Sequence, residues 1–264
     1  MLLAEGREAE VFLRPDGRVL KLWRLPDDGP KAEREHVVCR LLSPLAPTTH
    51  GLVHVDGRPG LVMDRIEGDS LLTQLQRRPY GLFRAARVLA GVHVELNARA
   101  APLELPDLRE LLTSRLALAG TLPRHHHELS LRLLASLPGG DRLCHSDFHL
   151  GNLLGSWDSP VVIDWGWAAR GDPTSDVARS ELLQRIGALP PGVPPVFRAL
   201  AAVGRGVLTD LYLSHYRRLG GIEPTFERWR FVHRAARFAD DVPEEWPTLL
   251  RLLDRAAPTI SRQV

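Results

Sequence analysis

Cysteine and lysine are nearly missing from this 264-residue chain. The two cysteines, Cys39 and Cys144, cannot build the disulfide framework of a small secreted domain. Both lie in apolar runs, so buried thiols in a reducing cytosol are expected. No apolar stretch approaches the roughly 20 residues that span a bilayer, and Met1-Leu2-Leu3-Ala4-Glu5 reaches an acid too early for a signal-peptide core. The expectation is a cytoplasmic protein with no membrane partner. Long runs of one charge sign are also absent and the net charge is only +2, which argues against a nucleic-acid partner. The lysine scarcity follows a general bias toward arginine, yet it singles out Lys21 and Lys31.

A hydrophobic content of 44 % supports a sizeable core, in one large domain or two lobes. Residues 11–13 and 18–23 flank Arg14-Pro15-Asp16-Gly17, where proline presets a turn and glycine accepts positive φ, so a hairpin is predicted. A second hairpin follows, 51–55 with 60–66 around Asp56-Gly57-Arg58-Pro59. Between them Pro30 suits a first helical turn, and Val38, Leu41 and Leu42 repeat at helical spacing. After Gly68 the periodicity turns helical over 71–77, 82–97, 108–119 and 128–137. Short strand-like pieces interrupt it at 142–144, 153–154 and 161–163. Helices resume at 175–186, 195–218, 225–238 and 246–256, separated by clusters such as Leu189-Pro190-Pro191-Gly192. A boundary near Gly68 divides the chain into residues 1–67 and 68–264.

The segment His145-Ser146-Asp147-Phe148-His149-Leu150-Gly151-Asn152, with Ile163-Asp164-Trp165-Gly166 downstream, carries the chemistry. A carboxylate such as Asp147 can orient an alcohol and accept its proton as a new bond forms. Asn152 offers a neutral oxygen and Asp164 an anionic one, a pair suited to Mg²⁺, a hard ion that takes few protein carboxylates beside nucleotide phosphates. Taken singly, Asp147 and Asn152 could merely cap turns. Their joint spacing, followed by a strand and Asp-x-Gly, points to phosphoryl transfer from a nucleotide. At the other end of the chain, Lys21 shares a strand face with Val19 while Leu20 and Leu22 face the other way. An apolar side chain and a cation two residues apart can address a purine and its phosphates, although a surface lysine at a strand edge has the same pattern.

These motifs resemble those of the aminoglycoside phosphotransferase and choline kinase family, relatives of the protein kinases. The match includes the histidine two residues after the aspartate, and Gly171-Asp172-Pro173-Thr174-Ser175-Asp176 is similar to that family's next element. The resemblance extends over roughly residues 5–178. It implies a two-lobed protein-kinase-like α+β fold, with a small antiparallel-sheet lobe holding one helix and a mainly helical second lobe. It implies Asp147 as catalytic base, Asn152 and Asp164 as metal ligands, and Asp176 as a brace for the catalytic loop. Lys21 would pair with Glu35, or with Glu33 as second choice. The backbone of Asp64 and Ile66 would meet the purine edge, and Leu154 would floor it. The expected cofactors are ATP, or GTP, with Mg²⁺, and the partner is a small-molecule hydroxyl acceptor.

One departure concerns the expected phosphate-covering loop, Glu5-Gly6-Arg7-Glu8-Ala9-Glu10-Val11, which has one glycine and three acids. Carboxylates there would repel phosphate unless they point away, which keeps a nucleotide-binding module without turnover as an alternative. A protein kinase is the other alternative, but only seven residues separate Asp164 from Asp172, leaving no activation-loop-like segment. His125-His126-His127 reads as a solvated helix start, and His93 as a hydrogen-bonded core residue that supports the catalytic loop by resemblance. Trp165 and Trp167 suit either an acceptor wall or the core. Gly204-Arg205-Gly206 reads as a helix irregularity. Two acceptor signals conflict. Seven arginines between Arg205 and Arg237 face three acids and suit an anionic or neutral alcohol, whereas Asp240, Asp241, Glu244 and Glu245 resemble an amine-binding cluster.

Overall fold

The computed structural model describes residues 1–186 and 195–263, so Leu189-Pro190-Pro191-Gly192 lies outside the described residues. In chain order the elements are β1 (Leu2–Glu5), β2 (Ala9–Leu13), β3 (Val19–Trp23), α1 (Gly29–Leu42), β4 (Thr49–Val55), β5 (Arg58–Met63), α2 (Leu71–Arg77), α3 (Leu82–Asn97), α4 (Leu108–Leu118) and α5 (Arg124–Ser136). There follow β6 (Arg142–Cys144), β7 (Leu153–Gly155), β8 (Pro160–Val162), β9 (Ala169–Gly171), α6 (Pro173–Ile186), α7 (Pro195–Leu219), α8 (Phe226–Ala236) and α9 (Trp246–Ile260). Among the described residues no helix is long and apolar enough to cross a membrane.

The chain divides into two compact units, Met1–Gly81 with Leu150–Ala168, and Leu82–His149 with Ala169–Val264. The division falls after Gly81 rather than near Gly68 because the residues following Gly68 are tied to the β7–β8 hairpin. Gly68, at φ +99°, would bring a Cβ to 3.4 Å from the Gly155 Cα. Ser70 bridges Leu154, and the Gln74 side chain donates to the Gly155 carbonyl at 2.7 Å.

In the first unit the five-stranded sheet has the order β1-β2-β3-β5-β4, with antiparallel neighbours. Both anticipated hairpins form. The second turns on Asp56 and Gly57, both at positive φ (50° and 76°), the pairing that matches strand twist in a two-residue loop. Strand alternation sends Val19 and Trp23 into a core with Ala9, Ala32, Leu61 and Met63. On the other face Leu20 and Leu22 lie over Gly60, where an added Cβ would come within 2.9 Å of Leu20. Strand β1 was not anticipated: it is a short edge strand whose residues are all exposed, so it carries no alternating burial.

In the second unit α3 packs on α7, and α6 packs on both α7 and α8, while β6 pairs with β9. Helix α7 runs unbroken through Gly204-Arg205-Gly206, so no irregularity occurs there. Helix α6 is unusual in burying Thr174, Ser175, Asp176, Arg179, Ser180, Glu181 and Gln184. Polar groups withdrawn from water need partners, and α6 finds several in the His145–Ser146 segment and in α8. One of these fixes a pH response. His233 of α8 stands 2.9 Å from the Ser175 hydroxyl, and burial, aided by the Arg179 charge, pushes its pKa down from 6.5 to about 3. The folded protein therefore excludes a proton that the unfolded chain binds below pH 6.5. This contribution to stability is complete above that pH and declines as pH falls toward 3. Between pH 7 and 5 it should cost about 2 kcal/mol. Denaturant midpoints at the two pH values should show the loss, and His233→Gln should flatten it; parallel curves for the two proteins would rule His233 out as the source.

Candidate active site

In the first unit, Lys21 points from the centre of β3 toward α1. Its Nζ donates to Glu35 Oε2 at 2.6 Å and to Asp164 Oδ1 at 2.7 Å, and lies 4.8 Å from the Trp23 ring centroid. Glu33, the second choice, is exposed; Glu35 is 2 % exposed and takes the lysine. Burial opposes the Lys21 charge, but Asp164 and Glu35 together outweigh it and raise the ammonium above its ordinary pKa. Burial, reinforced by the nearby Asp164 carboxylate, pushes Glu35 up against the pull of Lys21.

Asp164 follows β8 with φ 68°, and its side chain keeps 45 % exposure. In the β7–β8 register Leu153 opposes Val162, and the Ile163 amide donates to the Asn152 carbonyl at 3.0 Å. Asn152 and Asp164 therefore lie at the same end of one hairpin. A neutral amide oxygen and a carboxylate there are a donor set that fits a hard divalent cation. Val19 packs in the core cluster beside Met63, and Leu154 is half-buried on β7. Strand β5 stops at Met63, so the backbone groups of Asp64 and Ile66 lie beyond the ladder, apart from the Asp64 amide, which donates to the Thr48 carbonyl at 2.8 Å.

The acidic loop between β1 and β2 is neutralised side chain by side chain. Glu5 pairs with Arg24 at 2.7 Å, Glu8 with Lys31 at 3.2 Å, and Glu10 with Arg58 at 2.6 Å. The Trp167 indole N–H also donates to Glu8 at 3.0 Å, and Lys31 stands 4.8 Å over that ring. Trp165, by contrast, is fully buried, with its indole N–H donating to the Val162 carbonyl. One tryptophan thus serves the core and the other the loop.

In the second unit β6 leads into the His145–His149 segment and β9 leads into α6 beside it. Asp176, in the first turn of α6, accepts the His145 and Ser146 amides, each at 2.8 Å. It also accepts from Asn97 at 3.1 Å and from His93 Nε2 at 2.9 Å. A carboxylate only accepts, so a His93 proton sits on Nε2, and Nδ1 lies 2.6 Å from the Tyr212 hydroxyl. His93 also stacks on Phe148 with centroids 4.2 Å apart. Ser146 is held at φ 64°, and Asp147 follows it with its amide donating to His145 Nδ1 at 3.2 Å.

The Asp147 carboxylate lies 3.6 Å from His149 Nε2 and 3.9 Å from Arg179 Nη2. Burial opposes its charge, but His149 first and then Arg179 and His145 hold the carboxyl well below the usual carboxylate range. Sequence reasoning missed Arg179, because one arginine in an arginine-rich chain carries no local signal. His125-His126-His127 also needs correction: His126 is buried, with Nε2 2.8 Å from Asp254 Oδ1, so only His125 keeps the exposed setting of a solvated start.

The sequence model of the phosphotransferase enzyme family (APH) matches residues 1–181. No curated protein matches the sequence. Among solved structures the chain is similar to an ADP-bound aminoglycoside phosphotransferase, APH(2'')-Ib, at 14% identity and TM-score 0.58, covering 97% of this chain and 90% of that one. It is also similar to an aminoglycoside-3'-phosphotransferase of type VIII, at 21% identity and TM-score 0.59, covering 89% and 90%. A choline/ethanolamine kinase family protein from Mesorhizobium loti is 16% identical at TM-score 0.55, with 99% and 87% covered. These likenesses identify the fold as the protein-kinase-like α+β fold of such enzymes. With the family match running from residue 1 through the Asp147, Asp164 and Asp176 motifs to residue 181, the chain belongs to the phosphotransferase enzyme family.

Proposed function

We propose that the protein transfers the γ-phosphoryl group of ATP, with Mg²⁺, to a hydroxyl group of a small molecule. The observation that carries this reading is the Lys21 ammonium held between Glu35 and Asp164, the latter 143 residues away in sequence. A buried cation steered by two carboxylates is positioned to meet polyphosphate oxygens, and a fixed charge of this kind stabilises the charge that develops on transfer. Asn152 and Asp164 would hold Mg²⁺, which when bound neutralises phosphate oxygens. Asp147 orients the acceptor alcohol and takes its proton as the new O–P bond forms. The bridging P–O bond breaks, and its electron pair leaves with the nucleoside diphosphate. The backbone of Asp64 and Ile66 is offered to the purine edge, with Val19 and Leu154 as its apolar neighbours.

Two observations weigh against the alternatives. The acids that would have repelled phosphate from the Glu5–Glu10 loop are each paired with a base, which removes the motive for a module without turnover. The stretch from Asp164 to Asp172 is taken up by a short turn and β9, which leaves little chain to seat a protein substrate. The similar proteins named as aminoglycoside or choline/ethanolamine enzymes act on small molecules, which agrees with that choice. The test is nucleoside diphosphate release from ATP and Mg²⁺ across a panel of small alcohols, with nucleotide binding followed separately by calorimetry. Asp164→Ala should abolish the Mg²⁺-dependent part of ATP binding, and an unaltered Mg²⁺ titration would remove Asp164 from the ligand set.

A further inference from the structure

Three arginines of the second unit gather around one carboxylate, Asp240. Arg115 of α4, Arg179 of α6 and Arg237, just after α8, converge on Asp240. Arg115 donates to Oδ1 and Arg237 donates to Oδ2 at 2.6 Å. Arg237 also meets Glu245 with two further donors, at 2.7 and 2.9 Å. Burial works against charge on Asp240, but Arg179, Arg115 and Arg237 hold its pKa down to about 2. Two of the four acids in the amine-binding-like cluster are thus committed to arginine.

Arg179 is the cation left over. Its side chain is 10 % exposed, yet among the described residues it makes only long contacts. These are 3.3 Å to the Ser146 carbonyl, 3.5 Å to Asp240 and 3.9 Å to Asp147. Charge-assisted bonds of well-paired guanidiniums run about 2.7–2.9 Å. Burial lowers its pKa, the Arg115 and Arg237 charges lower it further, and the Asp240 and Asp147 carboxylates do not offset the loss. A desolvated guanidinium with too little negative charge around it therefore stands beside the residue that receives the acceptor hydroxyl.

We infer that the acceptor alcohol carries an anionic group, a carboxylate or a phosphate, and that Arg179 binds it while Asp147 faces the hydroxyl. The inference rests on the proposed phosphotransfer with Asp147 as base. The 3.9 Å between Arg179 and Asp147 places the anion and the reacting hydroxyl a few bonds apart, as in a small hydroxy acid or a phosphorylated alcohol. A polycationic acceptor would instead meet three arginines whose carboxylates are already taken.

The test uses the full chain with ATP and Mg²⁺ and four acceptor arms: small hydroxycarboxylates, alcohol phosphates, neutral polyols of the same size, and cationic alcohols such as choline. The expected result is a kcat/KM for one of the anionic arms roughly 10- to 100-fold above the neutral arm. The two anionic arms tell carboxylate from phosphate. Arg179→Gln should collapse that ratio chiefly through KM, and Arg179→Lys should restore part of it; a merely structural arginine would depress all arms alike. Turnover of neutral or cationic alcohols in preference to anionic ones would overturn the inference and leave the phosphotransferase reading standing. Nucleotide binding with no product in any arm would overturn both.

Discussion

Asp147→Asn is expected to lower phosphoryl transfer by about a hundredfold or more, with the fold intact and ATP affinity changed little. Asparagine keeps the size of the side chain and can still accept a hydrogen bond from an alcohol, but it cannot take the proton. The Asp147 carboxyl is held below the usual carboxylate range by His149 and Arg179 against burial, so it is ionised throughout the neutral range. The defect should therefore be the same at pH 6 and pH 8, and raising the pH should not rescue it. Single-turnover measurements separate the chemical step from product release. Unchanged single-turnover rates in the variant would remove Asp147 from the base role.

What could be read from the sequence, and what could not, follows from how far apart in the chain the interacting groups are. The segment from His145 to Asp176 was legible because loop, hairpin and helix start follow one another within about thirty residues, each marked by residue types with few other uses at such spacing. The Lys21–Glu35 pair was implied by the family resemblance, with the spacing of Glu35 to Val38 and Leu42 favouring it over Glu33 and the rarity of lysine marking Lys21. Pairings between distant segments were not. The acids of the Glu5–Glu10 loop were readable as a repulsive set, but their partners Arg24, Lys31 and Arg58 lie elsewhere in the sheet unit. The composition changed at Gly68, but the contacts of Ser70 and Gln74 with the β7–β8 hairpin carry the first unit on to Gly81. Buried arginines such as Arg179 look like surface ones until burial distinguishes them. Asp240 and Glu245, half of the acidic cluster that gave one of two conflicting acceptor signals, pair with arginines, because a run of acids shows its charge and not its neighbours.

Asp176→Ala should have the largest effect on stability. This carboxylate is 1 % exposed and accepts from the His145 and Ser146 backbone amides and from His93 and Asn97 of α3, so it joins two other segments to α6. Truncation leaves those donors buried without an acceptor, a defect usually costing about 3–5 kcal/mol when the missing partner is a buried charge. Asp176→Asn should fare only partly better, since its amide accepts at one oxygen and turns N–H groups toward donors. Burial opposes the Asp176 charge, but His93 and His145 hold its pKa below the ordinary 3.8. Its contribution is therefore present above that value and is lost as pH falls through the lower folded pKa, so the wild type should lose part of its advantage over Asp176→Ala in acid. Denaturant unfolding of the three proteins at pH 7 and near pH 3 checks both points. A neutral-pH difference under about 1 kcal/mol would mean that the catalytic loop keeps its shape without this brace. In that case the φ 64° of Ser146 would have to be maintained by the β6–β9 pairing, the Arg179 contact to the Ser146 carbonyl and the Asp147 amide bond to His145. If the brace is needed, activity at temperatures where Asp176→Asn is still folded should fall along with stability, because Asp147 directly follows the two amides that Asp176 holds.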